Sequence, residues 1–201
     1  MAELKPGTDG AAAVSDEQVV ALSLTDGEAF AELVDRYREP LYGFTLRMTG
    51  DPEEARDLAQ QSFVKAFAAL SRFRPGAKFS SWLYTIAANL CRSWLRSQRH
   101  RPVSIEGSYP DPEVIPSAEA IVASPAELHS REELRREVLQ AVNDLPTKYR
   151  VVVVLRHLND HSYKQIAEIL SLPVSTVEHR LRAAREMLRQ RLGRELALDE
   201  D

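Results

Sequence analysis

A chain of 201 residues with 44% apolar side chains carries enough hydrophobic matter for one or two packed domains and is not a disordered polymer. Its single cysteine, Cys91, excludes an intramolecular disulfide framework, and no run approaches the ~18–20 apolar residues of a membrane span. The formal charge of −4 hides a sharp segregation: Val64 to Ile105 holds eight Lys or Arg and no Asp or Glu, in a chain with 30 acids. Such a window is where a polyanion binds. The start, Met1 to Ala13, lacks the basic and apolar run of a signal peptide, so a soluble cytoplasmic protein is expected.

Helical periodicity dominates, and an all-α fold is expected, with two small helical domains joined by a flexible linker. A short helix is expected from Ser15 to about Ser23. The pair Thr25-Asp26 then caps a helix with Phe30, Leu33, Val34 and Tyr37 on one face, which Pro40 should interrupt before a further helix reaches Met48. Asp51-Pro52-Glu53-Glu54 is a strong helix start, with a capping Asp, a first-turn Pro and two acids. That helix runs through Leu58, Phe63, Phe67 and Leu70 until Arg74-Pro75-Gly76 breaks it. Ser80 or Ser81 should cap the next, which ends near Gln98. Five prolines between Pro102 and Pro125, among scattered acids, describe a tether of about two dozen residues, ~27 Å as a coil and up to ~80 Å extended. The run Val151 to Leu155 looks strand-like but sits in a helical neighbourhood, so a buried helix is expected.

Within the basic window, Thr85, Asn89, Arg92, Arg96 and Arg99 are spaced 4, 3, 4 and 3, which places them on one narrow helix face. Arginine forks suit phosphate or guanine and Asn suits adenine, so this stripe can reach backbone and bases together. An ordinary solvated helix face would mix Glu with Arg, and this one does not. Trp82 and Trp94 fit a core as well as a base-stacking surface. Further on, Ser162 caps a helix carrying Ile166, Ala167, Ile169 and Leu170, and Ser171-Leu172-Pro173 turns the chain. A last helix starts at Ser175 or Thr176, with Val177, Leu181, Ala184, Leu188 and Leu192 on its inner side. That is the pattern of a helix-turn-helix whose second helix enters the major groove.

No enzyme constellation emerges. There is no Gly-rich phosphate loop, no nucleophile elbow and no CxxC, and His157 and His161 flank what reads as a turn, so neither a metal nor a cofactor is expected.

Two segments, DPEEARDLAQQSFVKAFAALSRFRPGAKFSSWLYTIAANLCRSWLRSQRHR and LPTKYRVVVVLRHLNDHSYKQIAEILSLPVSTVEHRLRAAREMLRQRL, together resemble the extracytoplasmic-function (ECF) group of bacterial sigma factors. The resemblance implies a tail and short helix over 1–25, sigma region 2 over 26–101, an acidic Pro-rich linker over 102–129 and a region 4 helix-turn-helix over 130–201. It implies binding to core RNA polymerase through its β′ clamp and β subunits, and to promoter DNA both as duplex and as melted single strand. Asp57, Gln60, Gln61 and Phe63 would meet polymerase. Lys78, Phe79, Thr85, Asn89, Arg92, Arg96 and Arg99 would take the melted −10 element. Ser175, Thr176, Glu178, His179, Arg182 and Ala183 would read the −35 element. An anti-sigma factor is a further implied partner, and the acidic linker would suit the polymerase's cationic channel. The sequence departs from the family pattern at Gln61, where Glu is usual, and at Glu178-His179, where a basic or small polar pair is common, so the −35 preference does not carry over. Two other readings remain open here. A helix-turn-helix regulator would bind duplex tightly without polymerase. A helical adaptor would show no salt-dependent DNA affinity.

Overall fold

The structure, a computed structural model, describes residues 14–98 and 125–193, and the side chains of 125–133 are not among the features described. The expected N-terminal tail, most of the linker and the position of Arg99 lie outside these residues.

In chain order the elements are α1 (Asp16–Ser23), a 3₁₀ turn (Gly27–Ala29), α2 (Phe30–Thr49), α3 (Pro52–Ala68), a second 3₁₀ turn (Leu70–Arg72) and α4 (Phe79–Gln98). They continue with α5 (Pro125–Asn143), α6 (Thr147–His157), α7 (Tyr163–Leu170) and α8 (Val174–Leu192). There is no strand among the described residues. The expected caps form where local chemistry demands them. Ser15 and Ser162 each build a capping box, with Gln18 and Gln165 reaching back to the cap. The Asp51 carboxylate accepts from the backbone N–H groups of Glu53 (2.9 Å) and Glu54 (3.1 Å). Replacing Asp51 with Ala should cost about 1 kcal/mol, read as a lower midpoint in urea with an unchanged slope.

Four local expectations are corrected. Helix α3 ends at Ala68, and Leu70 lies in the 3₁₀ turn that follows, short of Arg74-Pro75-Gly76. Pro40 does not interrupt: α2 runs through it. An interior proline costs about 3 kcal/mol, but the continuous helix buries Leu41, Phe44 and Met48 at roughly 1.5–3 kcal/mol each, which outweighs it. Neither Ser80 nor Ser81 caps α4, because that helix already starts at Phe79. The last helix starts at Val174, directly after Pro173, one to two residues earlier than expected. The valine run is helical, as expected. Val151 to Leu155 are all buried in α6, and that burial exceeds a propensity penalty of at most ~0.7 kcal/mol per residue.

Helices α1 to α4 form one bundle around Leu33, Leu41, Phe44, Met48, Phe79 and Leu83. Helices α5 to α8 form another around Val152, Val154, Leu155, Ile166, Ile169 and Leu181. The two bundles are in contact: α4 lies against α7, and α2 against α5 and α6, so their buried side chains join into one continuous cluster. Arg150 of α6 fastens the contact by donating to the carbonyl of Met48 (2.7 Å) in the last turn of α2, where helix carbonyls lack internal partners.

Candidate nucleic-acid interface

Helix α4 has three faces. Leu83, Ala87 and their neighbours pack into the first bundle, Tyr84, Ala88 and Cys91 are buried, and Thr85, Asn89, Arg92 and Arg96 form the polar stripe. Asn89 and Arg96 are exposed, while Thr85 and Arg92 are half-buried. The Thr85 hydroxyl donates to the Ser81 carbonyl (2.8 Å), so its proton is already engaged within α4. Arg92 donates through Nε to the Ala88 carbonyl (3.3 Å) and through Nη2 to Oδ1 of Asn89. That second bond orients the Asn89 amide and leaves its N–H donors for a ligand. No described carboxylate pairs with Arg92 or Arg96. Among the described residues the stripe is therefore cationic and uncompensated.

Lys78 is exposed in the loop ahead of α4. Phe79 is placed differently from expectation. It is 0% exposed and touches the rings of Phe30, Tyr37, Phe73 and Trp82, so it supports the loop from within the core and does not face a ligand. The reason is its position as the first residue of α4, where the inward side of the helix meets α2. Trp82 and Trp94 are half-buried against the core.

On α3, Asp57, Gln60 and Gln61 are exposed together. Phe63 is 9% exposed and packs inward beneath them, a second departure from the expected contact set. In its place the same surface offers Val64 (61% exposed) and Phe67 (48% exposed). Periodicity concealed Phe67, since its spacing from Phe63 fits a core position. Its ring leans on Phe30, at 5.2 Å between centroids, and leaves the other side open.

The helix-turn-helix is formed by α7 and α8, with Ser171 in the left-handed region (φ 52°) at the turn. Val177, Leu181, Ala184 and Leu188 are buried, which rotates Ser175, Glu178, His179 and Arg182 outward into solvent, with Thr176 and Ala183 half-buried beside them. All six expected reading positions thus share one surface. It is continued by Tyr163, Arg185 and Arg189. The guanidinium of Arg156 lies 5.4 Å from the centre of the Tyr163 ring. His157 is held below the ordinary imidazole value by burial first and by Arg185 and Arg156 second, which marks this end of α6 as electropositive.

Fold and surfaces together define a two-bundle helical DNA-binding protein with a cationic stripe on one bundle and a helix-turn-helix on the other. A family model described as Sigma-70 region 2 matches residues 33–101, and one described as Sigma-70, region 4 matches residues 135–188. The ECF RNA polymerase sigma factor SigW of Bacillus subtilis is 36% identical over 170 residues, covering 83% of this chain and 90% of the relative. The ECF RNA polymerase sigma-E factor of Escherichia coli is 35% identical over 165 residues, covering 81% and 86%. Among solved structures, CnrH in complex with the cytosolic domain of CnrY is similar at a TM-score of 0.66 and 26% identity, covering 90% of this chain and 99% of that one. The chain belongs to the ECF RNA polymerase sigma factors. As such it binds core RNA polymerase and promoter DNA and directs transcription initiation. No described helix is long and apolar enough to cross a membrane.

Proposed function

We propose that the α4 stripe, Thr85, Asn89, Arg92 and Arg96 with Lys78 ahead of it, holds the melted −10 strand, and that α8 reads the −35 duplex through Ser175, Thr176, Glu178, His179, Arg182 and Ala183. The observation that carries this reading is the uncompensated stripe. Four aligned polar side chains with no described carboxylate partner, in a window free of acids, form a site for an anion with base edges. Holding an unpaired base costs a few kcal/mol of unstacking, which phosphate contacts from Arg92 and Arg96 can offset. The exposed side of α3, Asp57, Gln60 and Gln61 with Val64 and Phe67, is the polymerase face. The domain plan is region 2 over 26–101, a tether over 102–129 and region 4 over 130–201. The protein supplies no chemistry of its own and works in the cytoplasm.

CnrH is held by a cytosolic domain of another protein. We extend this to an anti-sigma partner for this chain, which would cover the polymerase face of α3 and the reading face of α8.

Adding the chain to core polymerase should produce specific starts that neither component yields alone, mapped by run-off transcription. Starts identical with and without the chain would refute the assignment. Arg182→Ala should weaken −35 binding by about 1–3 kcal/mol and relax preference at one base pair. A loss equal on all duplexes, measured by titration at fixed salt, would make Arg182 a phosphate contact instead.

A further inference from the structure

The seam between the two bundles has an unusual centre. The Tyr84 hydroxyl of α4, buried with its ring edge-on to Phe44, accepts a hydrogen bond from Nδ2 of Asn159 (2.8 Å) in the loop between α6 and α7. Two residues on, His161 is 5% exposed and its ring stands edge-to-face against Tyr84, 4.7 Å between centroids. The backbone N–H of His161 is fixed to the Leu155 carbonyl (3.0 Å), while its Nε2 is buried without a hydrogen-bond partner. An open cavity lined by Tyr37, Ser80, Tyr84, Asp160 and Gln165 adjoins it.

This closed arrangement is incompatible with full promoter engagement, a consequence that rests on the sigma reading above. Helices α4 and α7 are in direct contact, so the stripe and the helix-turn-helix lie within a few helix diameters, each about 10 Å. Elements centred near −10 and −35 are separated by about 25 base pairs, or roughly 85 Å at 3.4 Å per pair. The tether of about two dozen residues spans at most ~80 Å, and the two bundles, each more than one ~10 Å helix across, supply the remainder, so the separation can be met once the seam parts.

We propose that this seam is a proton-sensitive latch: Tyr84, Asn159 and His161 hold the free chain closed at neutral pH, and protonation of His161 releases the helix-turn-helix bundle from α4. A cation here would be largely buried, with no acceptor from the described residues on Nε2, beside a neutral phenol. The charged groups facing His161 are Asp160 on its own loop, which favours protonation, and Lys78 ahead of α4, which opposes it. Tyr84 from α4 and Tyr37 from α2 stay neutral, their phenols pushed up chiefly by burial. Burial is the largest influence and keeps the imidazole below its ordinary 6.5. The sign follows. Above about 6.5 the ring is neutral in both forms and closure is undiminished. Below it the open form takes up a proton that the closed form refuses, so closure is progressively lost.

The test uses the full chain without polymerase or DNA, so its failure is separable from failure of the sigma reading. Spin labels are placed at Ser71→Cys and Gln190→Cys, both exposed. Cys91 is buried, its thiol pushed up to about 12, and stays unlabelled. Distance distributions from pH 8 to 5.5 should show one short population giving way to a longer one, the open-to-closed ratio rising by up to about tenfold per pH unit, the most a single proton allows. His161→Leu, which keeps volume and removes the proton site, should stay short throughout. Asn159→Ala should open at a pH about half to one unit higher. An unchanged wild-type distance across the range, with helicity retained by circular dichroism, overturns the proposal. So does opening of folded His161→Leu over the same range as wild type.

Discussion

Asn89→Ala combined with Arg96→Ala is expected to abolish promoter opening while assembly with core polymerase is retained. Each side chain is exposed on the α4 stripe, and each can make a base or phosphate contact worth about 1–3 kcal/mol. Losing both removes roughly 2–6 kcal/mol, a fall of about thirtyfold or more in open complex. The double substitution leaves the fold alone, since neither residue is in the buried cluster and Ala favours a helix. Permanganate footprinting of the −10 region measures opening, and native gel mobility measures polymerase assembly. Unchanged opening would remove the stripe from the −10 site. Lost assembly would place the polymerase face on α4.

Phe79→Ala should destabilise the first bundle by about 3–5 kcal/mol, a large share of a small domain's stability. The ring is wholly buried among Phe30, Tyr37, Phe73 and Trp82, so its removal leaves a cavity at the point where the loop after Gly76 joins α4. Denaturant titration checks the magnitude. Phe79→Leu, which retains most of the volume, should recover much of the stability and with it DNA binding. A variant that keeps full stability but loses single-strand affinity would mean that the ring turns outward to meet a base, against the packing described.

Much of this protein was legible in order along the chain. Caps such as Ser15, Asp51 and Ser162 work over three or four residues, so the side chain and the donors it satisfies are read together. The stripe on α4 was visible for the same reason: helical spacing places Thr85, Asn89, Arg92 and Arg96 on one face regardless of what the helix packs against. That the six expected reading positions share the outer side of α8 followed from the inward turn of Val177, Leu181, Ala184 and Leu188.

Other features depended on neighbours distant in sequence. Periodicity assigns a helix an apolar face but does not say which edge of that face is covered, so Phe79 and Phe63 went inward while Phe67 was left half open. The local cost of Pro40 is visible in the sequence, whereas the compensating burial of Leu41, Phe44 and Met48 exists only once α2 is packed. In sequence His161 stands four residues from His157, whereas its neighbour in the fold is Tyr84, 77 residues earlier.

By itself the sequence determined most of the helices, the caps at Ser15, Asp51 and Ser162, the segregation of charge and which side chains share the α4 stripe and the outer face of α8, because each is set by interactions within a turn or two of helix. Only the tertiary structure decided that the two bundles lie against each other, and that Tyr84, Asn159 and His161 meet at their seam. Such a contact depends on shape and desolvation between surfaces that local spacing cannot bring together.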